Sequence, residues 1–264
     1  MKNKLNYLQK LIKVILWPIM FIVGQFFIEY IFVAYYNSHN SGELSNKEFL
    51  EFVKTCEYKE NLNSFINSKL LLITIIGFII FLPIFYLMYK KYKKERISGY
   101  FLESISLGIS ISLIFNILVY NLNNILSFTD RYNRTLPFIV LIICTGILGP
   151  ILEEILFRGI IYNKLKEFNS NIRSIILCSL IFAIFHFDIV NSIYAFGVSF
   201  MLIYLYEKYN TLIAPILMHV FLNITMLIAI ELGILSLTFV SVLLLIVSIV
   251  ILLIIKKYRI GDSL

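Results

Sequence analysis

Long apolar stretches separated by short polar ones dominate the 264-residue sequence. Eight of these stretches come close to the ~20 residues that a helix needs to cross the hydrocarbon core of a bilayer. They cover approximately 14–36, 70–89, 101–121, 137–163, 173–188, 191–207, 212–231 and 235–255. The pattern predicts an all-α polytopic membrane protein with about eight transmembrane helices.

Several segments have bounds that decide where polar side chains lie in the membrane. The fourth stretch is long, and its helix is expected to continue to Leu165 or beyond, which places Glu153 well inside the membrane. The fifth and sixth stretches are short and are joined at 187–190. The polar outer segment 37–68 is expected to contain a short surface helix within 46–56.

Composition excludes a water-soluble protein. Hydrophobic residues make up 59% of the chain, and the mean hydropathy is +0.87, as is typical of a polytopic helical membrane protein. The net charge is +7, but the lysines cluster at the ends of apolar stretches. This placement indicates anchoring at an anionic membrane surface, and no nucleic-acid partner is expected. The three cysteines show no C-x-x-C spacing, so neither a disulfide framework nor a thiolate metal site is predicted.

Basic residues are distributed unevenly between the two sides of the predicted bundle. With the amino terminus inside, most of the 23 Lys and Arg residues fall in inner segments, including the cluster at 90–96 and the tail at 256–259. This bias predicts that both termini are cytoplasmic. The frequent Ile, Asn and Lys residues are typical of an AT-rich bacterial genome, so we expect a bacterial cytoplasmic membrane. The oligomeric state is left open.

Six strongly polar side chains lie inside the apolar stretches or at their ends. An ionisable side chain at bilayer depth costs at least ~2.5 kcal/mol by insertion scales, so such a side chain is a candidate functional residue. The six are Glu153, Glu154, Arg158, His186, His219 and Asn223.

The spacing of these residues predicts how they face one another. Glu154 and Arg158 are four residues apart, so they share a helix face and can pair. Glu153 points about 100° away, towards a different neighbour. His219 and Asn223 are also four residues apart and form one polar edge. Three helices therefore each offer a polar face, and buried polar groups need one another.

Such a set is suited to hydrolysis. Glu153 could act as a general base on a water that His186 also holds. His219 and Asn223 could donate hydrogen bonds to a developing oxyanion, while the remaining ion pair fixes its helix.

Other interpretations of the same residues stay open from the spacing alone. The polar groups could serve only to tie helices together, or they could belong to a transport path or an ion relay. Glu153, His186 and His219 would also make a His₂Glu set like that of some zinc hydrolases. The sequence contains no His-Glu-x-x-His, so such ligands would come from separate helices.

The order of the motifs resembles a known family. Glu153-Glu154-x-x-x-Arg158, Phe182-x-x-x-His186 and His219-x-x-x-Asn223 are similar to the three motifs of the type II CAAX prenyl endopeptidases, the CPBP or Abi superfamily. The resemblance covers about 137–231, which would be the catalytic core. It divides the chain into 1–136, N-terminal transmembrane helices with a polar outer loop, the core, and 232–264, a C-terminal transmembrane helix and basic tail.

The resemblance implies an intramembrane endopeptidase acting on a membrane-associated peptide or membrane protein. It implies that Glu153 and His186 activate water and that His219 and Asn223 stabilise the oxyanion. A glutamate-type mechanism without a cofactor is expected, with zinc as the variant. Bacterial members are linked to peptide maturation, immunity and envelope regulation, so a non-proteolytic immunity or scaffold protein of the same fold is the competing interpretation.

Overall fold

The computed structural model describes residues 2–40, 45–93, 97–126, 136–187, 189–232 and 246. Within these ranges the regular structure is entirely helical, so the all-α prediction is confirmed. The helices are α1 (Lys2–Asn40), α2 (Asn46–Phe52), α3 (Cys56–Tyr89), α4 (Phe101–Leu126), α5 (Phe138–Lys166), α6 (Asn171–Ile184), α7 (Ile189–Tyr209) and α8 (Ile213–Glu231).

The described part of the chain contains four helices that are long and apolar enough to cross a membrane. They are Leu5–Asn40, Cys56–Tyr92, Phe138–Lys166 and Ile213–Glu231. Phe101–Phe115 of α4 and the whole of α6 are shorter apolar helices. The predicted segment 235–255 and the basic tail lie outside the described residues apart from residue 246. The chain is a multi-pass membrane protein, and the total of eight spans stays a prediction.

The helices extend beyond the apolar stretches that predicted them. Helix α3 begins at Cys56 rather than near 70, because a helix exposed to solvent does not need an apolar sequence. Thr55 caps its start: Thr55 Oγ1 accepts a hydrogen bond from the Tyr58 amide at 3.1 Å. The segment expected as an outer loop is therefore largely helical. The short surface helix predicted there is confirmed as α2, which Ser45 and Glu48 cap reciprocally. As expected, α5 continues past Leu165 to Lys166.

Ion pairs join helix ends that are far apart in sequence. They connect the ends of α3, α5 and α7 with the start of α4. The pairs are Lys91–Glu167 at 3.2 Å, Lys166–Glu207 at 3.0 Å and Lys208–Glu103 at 2.7 Å. Basic side chains thus gather at one end of the bundle, as their sequence positions predict. That this end faces the cytoplasm stays a prediction.

The core of the bundle is centred on α5. All eight residues of Ile155–Tyr162 are buried, so this part of the helix is enclosed on every side. The side chains of α6 pack directly on it, with Cys178 and Phe182 in the same buried cluster. A helix enclosed in this way can hold polar side chains away from both lipid and water.

A close crossing brings α4 against α8 beside His219. Ser104, Gly108 and Ser112 follow one another at four-residue spacing and are buried, a pattern that lets two helix backbones approach. A Cβ added to Gly108 would overlap the backbone carbonyl oxygen of Met218. Residue 108 therefore has to be glycine for α8 to lie this close to α4.

We expect Gly108→Ala to destabilise the protein by about 1–3 kcal/mol, because the new methyl group meets backbone rather than a flexible side chain. The measurement is the thermal unfolding of the purified protein in detergent. Gly197→Ala is the matched control, since a Cβ there has nothing within 4 Å. Equal melting temperatures for the two variants would contradict the close crossing.

Candidate active site

Helix α5 is wider than an α-helix on both sides of the adjacent glutamates. The stretches Ile142–Leu148 and Ile155–Tyr162 are π-helical, and they flank an α-helical segment, Gly149–Glu154. At the end of the first stretch the Gly149 amide donates to the Cys144 carbonyl. Wide turns of this kind occur frequently at functional sites. They also leave carbonyl groups that side chains can use.

Asn223 donates a hydrogen bond to one of these carbonyl groups. Its Nδ2 donates to the Thr145 carbonyl at 2.9 Å. Continuing the Gly149–Cys144 register by one residue would require an N–H at Pro150, which proline lacks. The Asn223 side chain of α8 thus donates the hydrogen bond that the backbone of α5 cannot supply. A side-chain amide carries a second N–H and an acceptor oxygen.

A second asparagine donates hydrogen bonds to carbonyl groups of the other π-helical stretch. Asn163 Nδ2 lies 3.0 Å from the carbonyl oxygens of both Arg158 and Gly159 and 2.7 Å from the Tyr206 hydroxyl. This contact joins α5 to α7. Neither Asn163 nor Tyr206 was singled out from the sequence, because single polar residues near a helix end are common.

The predicted pairing of Glu154 with Arg158 is confirmed. Arg158 Nη1 donates to Glu154 Oε1 at 2.9 Å, and both side chains are fully buried. The same carboxylate oxygen lies 2.8 Å from Nδ1 of His219. Because an ionised carboxylate only accepts, the Nδ1 of His219 is the donor. Glu154 therefore contacts a candidate catalytic ring as well as its ion-pair partner.

Two further groups hold the guanidinium of Arg158. Nη2 donates to Ser199 Oγ of α7 at 2.8 Å, and Cζ lies 4.3 Å from the centre of the Phe182 ring of α6, a cation–π contact. Sequence reasoning missed Ser199, since one serine in an apolar helix carries no distinguishing signal. The pair thus contacts three other helices, α6, α7 and α8.

His186 lies in the turn that follows α6. Its Nδ1 is 2.9 Å from the Phe182 carbonyl oxygen, and a carbonyl can only accept, so Nδ1 donates. In the neutral ring Nε2 then carries the lone pair. The Phe182 ring lies edge-on to the imidazole, with centroids 4.7 Å apart.

The depth of His186 follows from the length of α6. The apolar stretch 173–188 predicted a full span, but α6 has 14 residues and is about 21 Å long, too short for the ~30 Å hydrocarbon core. Glu153 lies 13 residues before Lys166, the last residue of α5, and so roughly 20 Å from that end. Since α6 begins at Asn171, shortly after α5 ends, it returns to about the depth of Glu153 where it ends. Asp188, two residues after His186, lies outside the described residues.

Four of the six predicted residues line one cavity of about 200 Å³. They are Glu153, His186, His219 and Asn223. The Glu153 side chain is 31% exposed, and its Oε2 is 3.9 Å from His219 Nε2. Most of the other lining residues are apolar or aromatic, from α4, α6, α7 and α8. The buried Glu154–Arg158 pair lies behind this cavity and reaches it through His219.

The side chains that could bind zinc, Glu153, His186 and His219, all line this cavity. In the described ranges, no three His, Cys, Asp or Glu side chains are close enough together to hold one ion. Glu153, His186 and His219 share the cavity, but they are not such a group.

Comparison with known proteins agrees with the motifs. Residues 135–225 match the family described as type II CAAX prenyl endopeptidase Rce1-like, and the match includes all six site residues. Over that stretch the chain is similar to this family of endopeptidases. Over 128 residues it is 30% identical to "Putative membrane peptidase YdiL" of Bacillus subtilis (strain 168). That alignment covers 48% of this chain and 52% of the relative, so the chain spans about half the length of the curated relative that it matches. No solved structure matches the chain.

We expect Asn223→Ala to destabilise the protein by about 1 kcal/mol, because the Thr145 carbonyl loses its donor. Adding Pro150→Ala should restore much of that stability, since residue 150 then has an N–H. Thermal unfolding of both variants and of Pro150→Ala alone is the measurement. Purely additive effects of the two substitutions would show that Pro150 and Asn223 do not act on the same carbonyl.

Proposed function

We propose that the protein is an intramembrane endopeptidase that hydrolyses a peptide bond of a membrane-associated peptide or membrane protein. The observation that carries this proposal is the shared cavity, where a carboxylate, two imidazoles and an amide meet. Its apolar and aromatic walls suit an apolar peptide segment. The family match adds the reaction class.

Glu153 is the proposed general base. The 3.9 Å between its Oε2 and His219 Nε2 is too long for a direct hydrogen bond, but a water could lie within reach of both groups. The Nε2 of His186 could accept a hydrogen bond from the same water, because its Nδ1 is already bound to the Phe182 carbonyl. The water would then be oriented by groups from three parts of the bundle.

The reaction balances without a further reactant. Glu153 removes a proton from the water as the oxygen attacks the carbonyl carbon, and the carbonyl oxygen becomes an oxyanion. His219, as an imidazolium with Nδ1–H bound to Glu154 and Nε2–H facing the cavity, and the second N–H of Asn223 donate to that oxyanion. When the C–N bond breaks, the proton held by Glu153 passes to the leaving nitrogen.

The buried pair has an orienting role in this mechanism. Glu154 holds the Nδ1 of His219 at 2.8 Å, so the ring presents Nε2 to the cavity. Arg158 Nη1 donates to the same carboxylate oxygen at 2.9 Å, so Glu154 has an ion-pair partner at full burial. The proposed location is a bacterial cytoplasmic membrane with both termini in the cytoplasm, which the basic end of the bundle supports.

We expect Glu153→Gln to abolish cleavage while leaving the protein folded, because the amide is nearly isosteric but cannot take a proton. Glu29→Gln makes the same change in α1, outside the cavity, and should retain activity. The measurement compares the membrane peptides of a deletion strain complemented with each variant. Wild-type cleavage by Glu153→Gln would refute the proposed base, and an intact phenotype without any cleavage would favour the immunity or scaffold interpretation.

We also propose that the reaction uses no metal ion, since the candidate ligands do not form a close group. Peptide cleavage by the purified protein should therefore be unchanged after incubation with EDTA or 1,10-phenanthroline. Elemental analysis of the same sample should find less than stoichiometric zinc. Loss of cleavage on chelation, with recovery on zinc addition, would contradict this part of the mechanism.

A further inference from the structure

Ser199 is a fully buried residue of α7 that belongs to none of the three motifs. Its Oγ accepts a hydrogen bond from Arg158 Nη2 at 2.8 Å. Among the described residues, this is the one hydrogen bond observed between α7 and the buried guanidinium. The remaining side chains of α7 around it are largely apolar.

The guanidinium of Arg158 has few other acceptors. Its Nη1 donates to Glu154 Oε1, and no hydrogen-bond partner of Nε is found in the described part of the chain. A planar fork held by a hydrogen bond at both ends has one orientation, whereas a fork that has lost one of these bonds can tilt away from the other acceptor. Ser199 thus fixes the orientation in which Nη1 points at the carboxylate.

We infer that Ser199 is a positioning residue, which acts on His219 through Arg158 and Glu154. The chain of contacts is short: Ser199 to Arg158 at 2.8 Å, Arg158 to Glu154 at 2.9 Å and Glu154 to His219 at 2.8 Å. If the fork tilts, the Nη1–H of Arg158 no longer points directly at Glu154 Oε1, so this carboxylate oxygen is held less firmly. The His219 ring then loses the fixed acceptor of its Nδ1–H and its fixed direction towards Glu153.

The effect on catalysis rests on the proposed function, but the effect on His219 does not. The chain has three histidines, so ¹⁵N-histidine labelling gives few ring signals, and His39→Gln and His186→Gln identify the other two. In the wild type we expect His219 to show one protonation pattern with Nδ1 protonated. This spectrum reports the orientation of the ring without any substrate.

The test compares three variants. Ser199→Ala removes the acceptor, and Ser199→Thr keeps the hydroxyl. Ser179→Ala is the matched control, because Ser179 is equally buried on α6 and its hydroxyl has no hydrogen-bond partner in the described ranges. All three are purified as the full chain in detergent, with thermal unfolding as a check on folding.

We expect Ser199→Ala to give mixed protonation signals for His219, and Ser199→Thr and Ser179→Ala to give the wild-type spectrum. With a peptide that the wild type cleaves, Ser199→Ala should lower kcat about 10-fold with little change in KM, and Ser199→Thr should restore it. An unchanged His219 signal in Ser199→Ala, or an equal change in Ser179→Ala, would overturn the inference. If the wild type cleaves no peptide while the spectra behave as expected, the proposed function fails and the positioning role stands.

Discussion

The ion pair between Glu154 and Arg158 is the interaction on which the arrangement of the bundle depends. Removing two charges from water costs several kcal/mol per ion, and one salt bridge rarely repays it. Here the pair recruits further partners from three helices: the His219 ring, the Ser199 hydroxyl and the Phe182 ring. Each partner limits how its helix can shift relative to α5. The pair therefore serves to fix geometry more than to add stability.

The wide turns of α5 explain why such a pair can sit so close to a polar cavity. In an α-helix every interior carbonyl is taken by the backbone, whereas here Asn223 and Asn163 use carbonyl groups at the two π-helical stretches. Asn223 thereby ties α8 to α5, and Asn163, itself on α5, contacts α7 through the Tyr206 hydroxyl. Pro150, between the stretches, removes an N–H at the point where Asn223 supplies one. The π-helical backbone of α5 and the position of Asn223 are thus linked, because Asn223 binds a carbonyl group of the wide turn.

Much of the fold and part of the site could be predicted from the sequence. Hydropathy predicts the helices, and four-residue spacing correctly pairs Glu154 with Arg158. The length of α6 could not be predicted, because apolar residues continue past Ile184 into the turn and a hydropathy pattern does not record where the helix ends. The π-helical turns and the role of Ser199 also escape, since both arise from contacts between helices. The chemical roles of the six site residues remain predictions.

His219 is what makes two neighbouring carboxylates unequal. Its Nδ1 contacts Glu154, which is fully buried, while its Nε2 faces Glu153, which is partly exposed in the cavity. The His219 ring therefore links the buried Glu154–Arg158 pair to the cavity that Glu153 lines. An ion path would need polar groups that a solvated ion can follow, but beyond His219 the Glu154 and Arg158 side chains have no exposed surface. A polar cluster that ends in a closed pair is better suited to holding one water and one carbonyl in place than to passing an ion across the membrane.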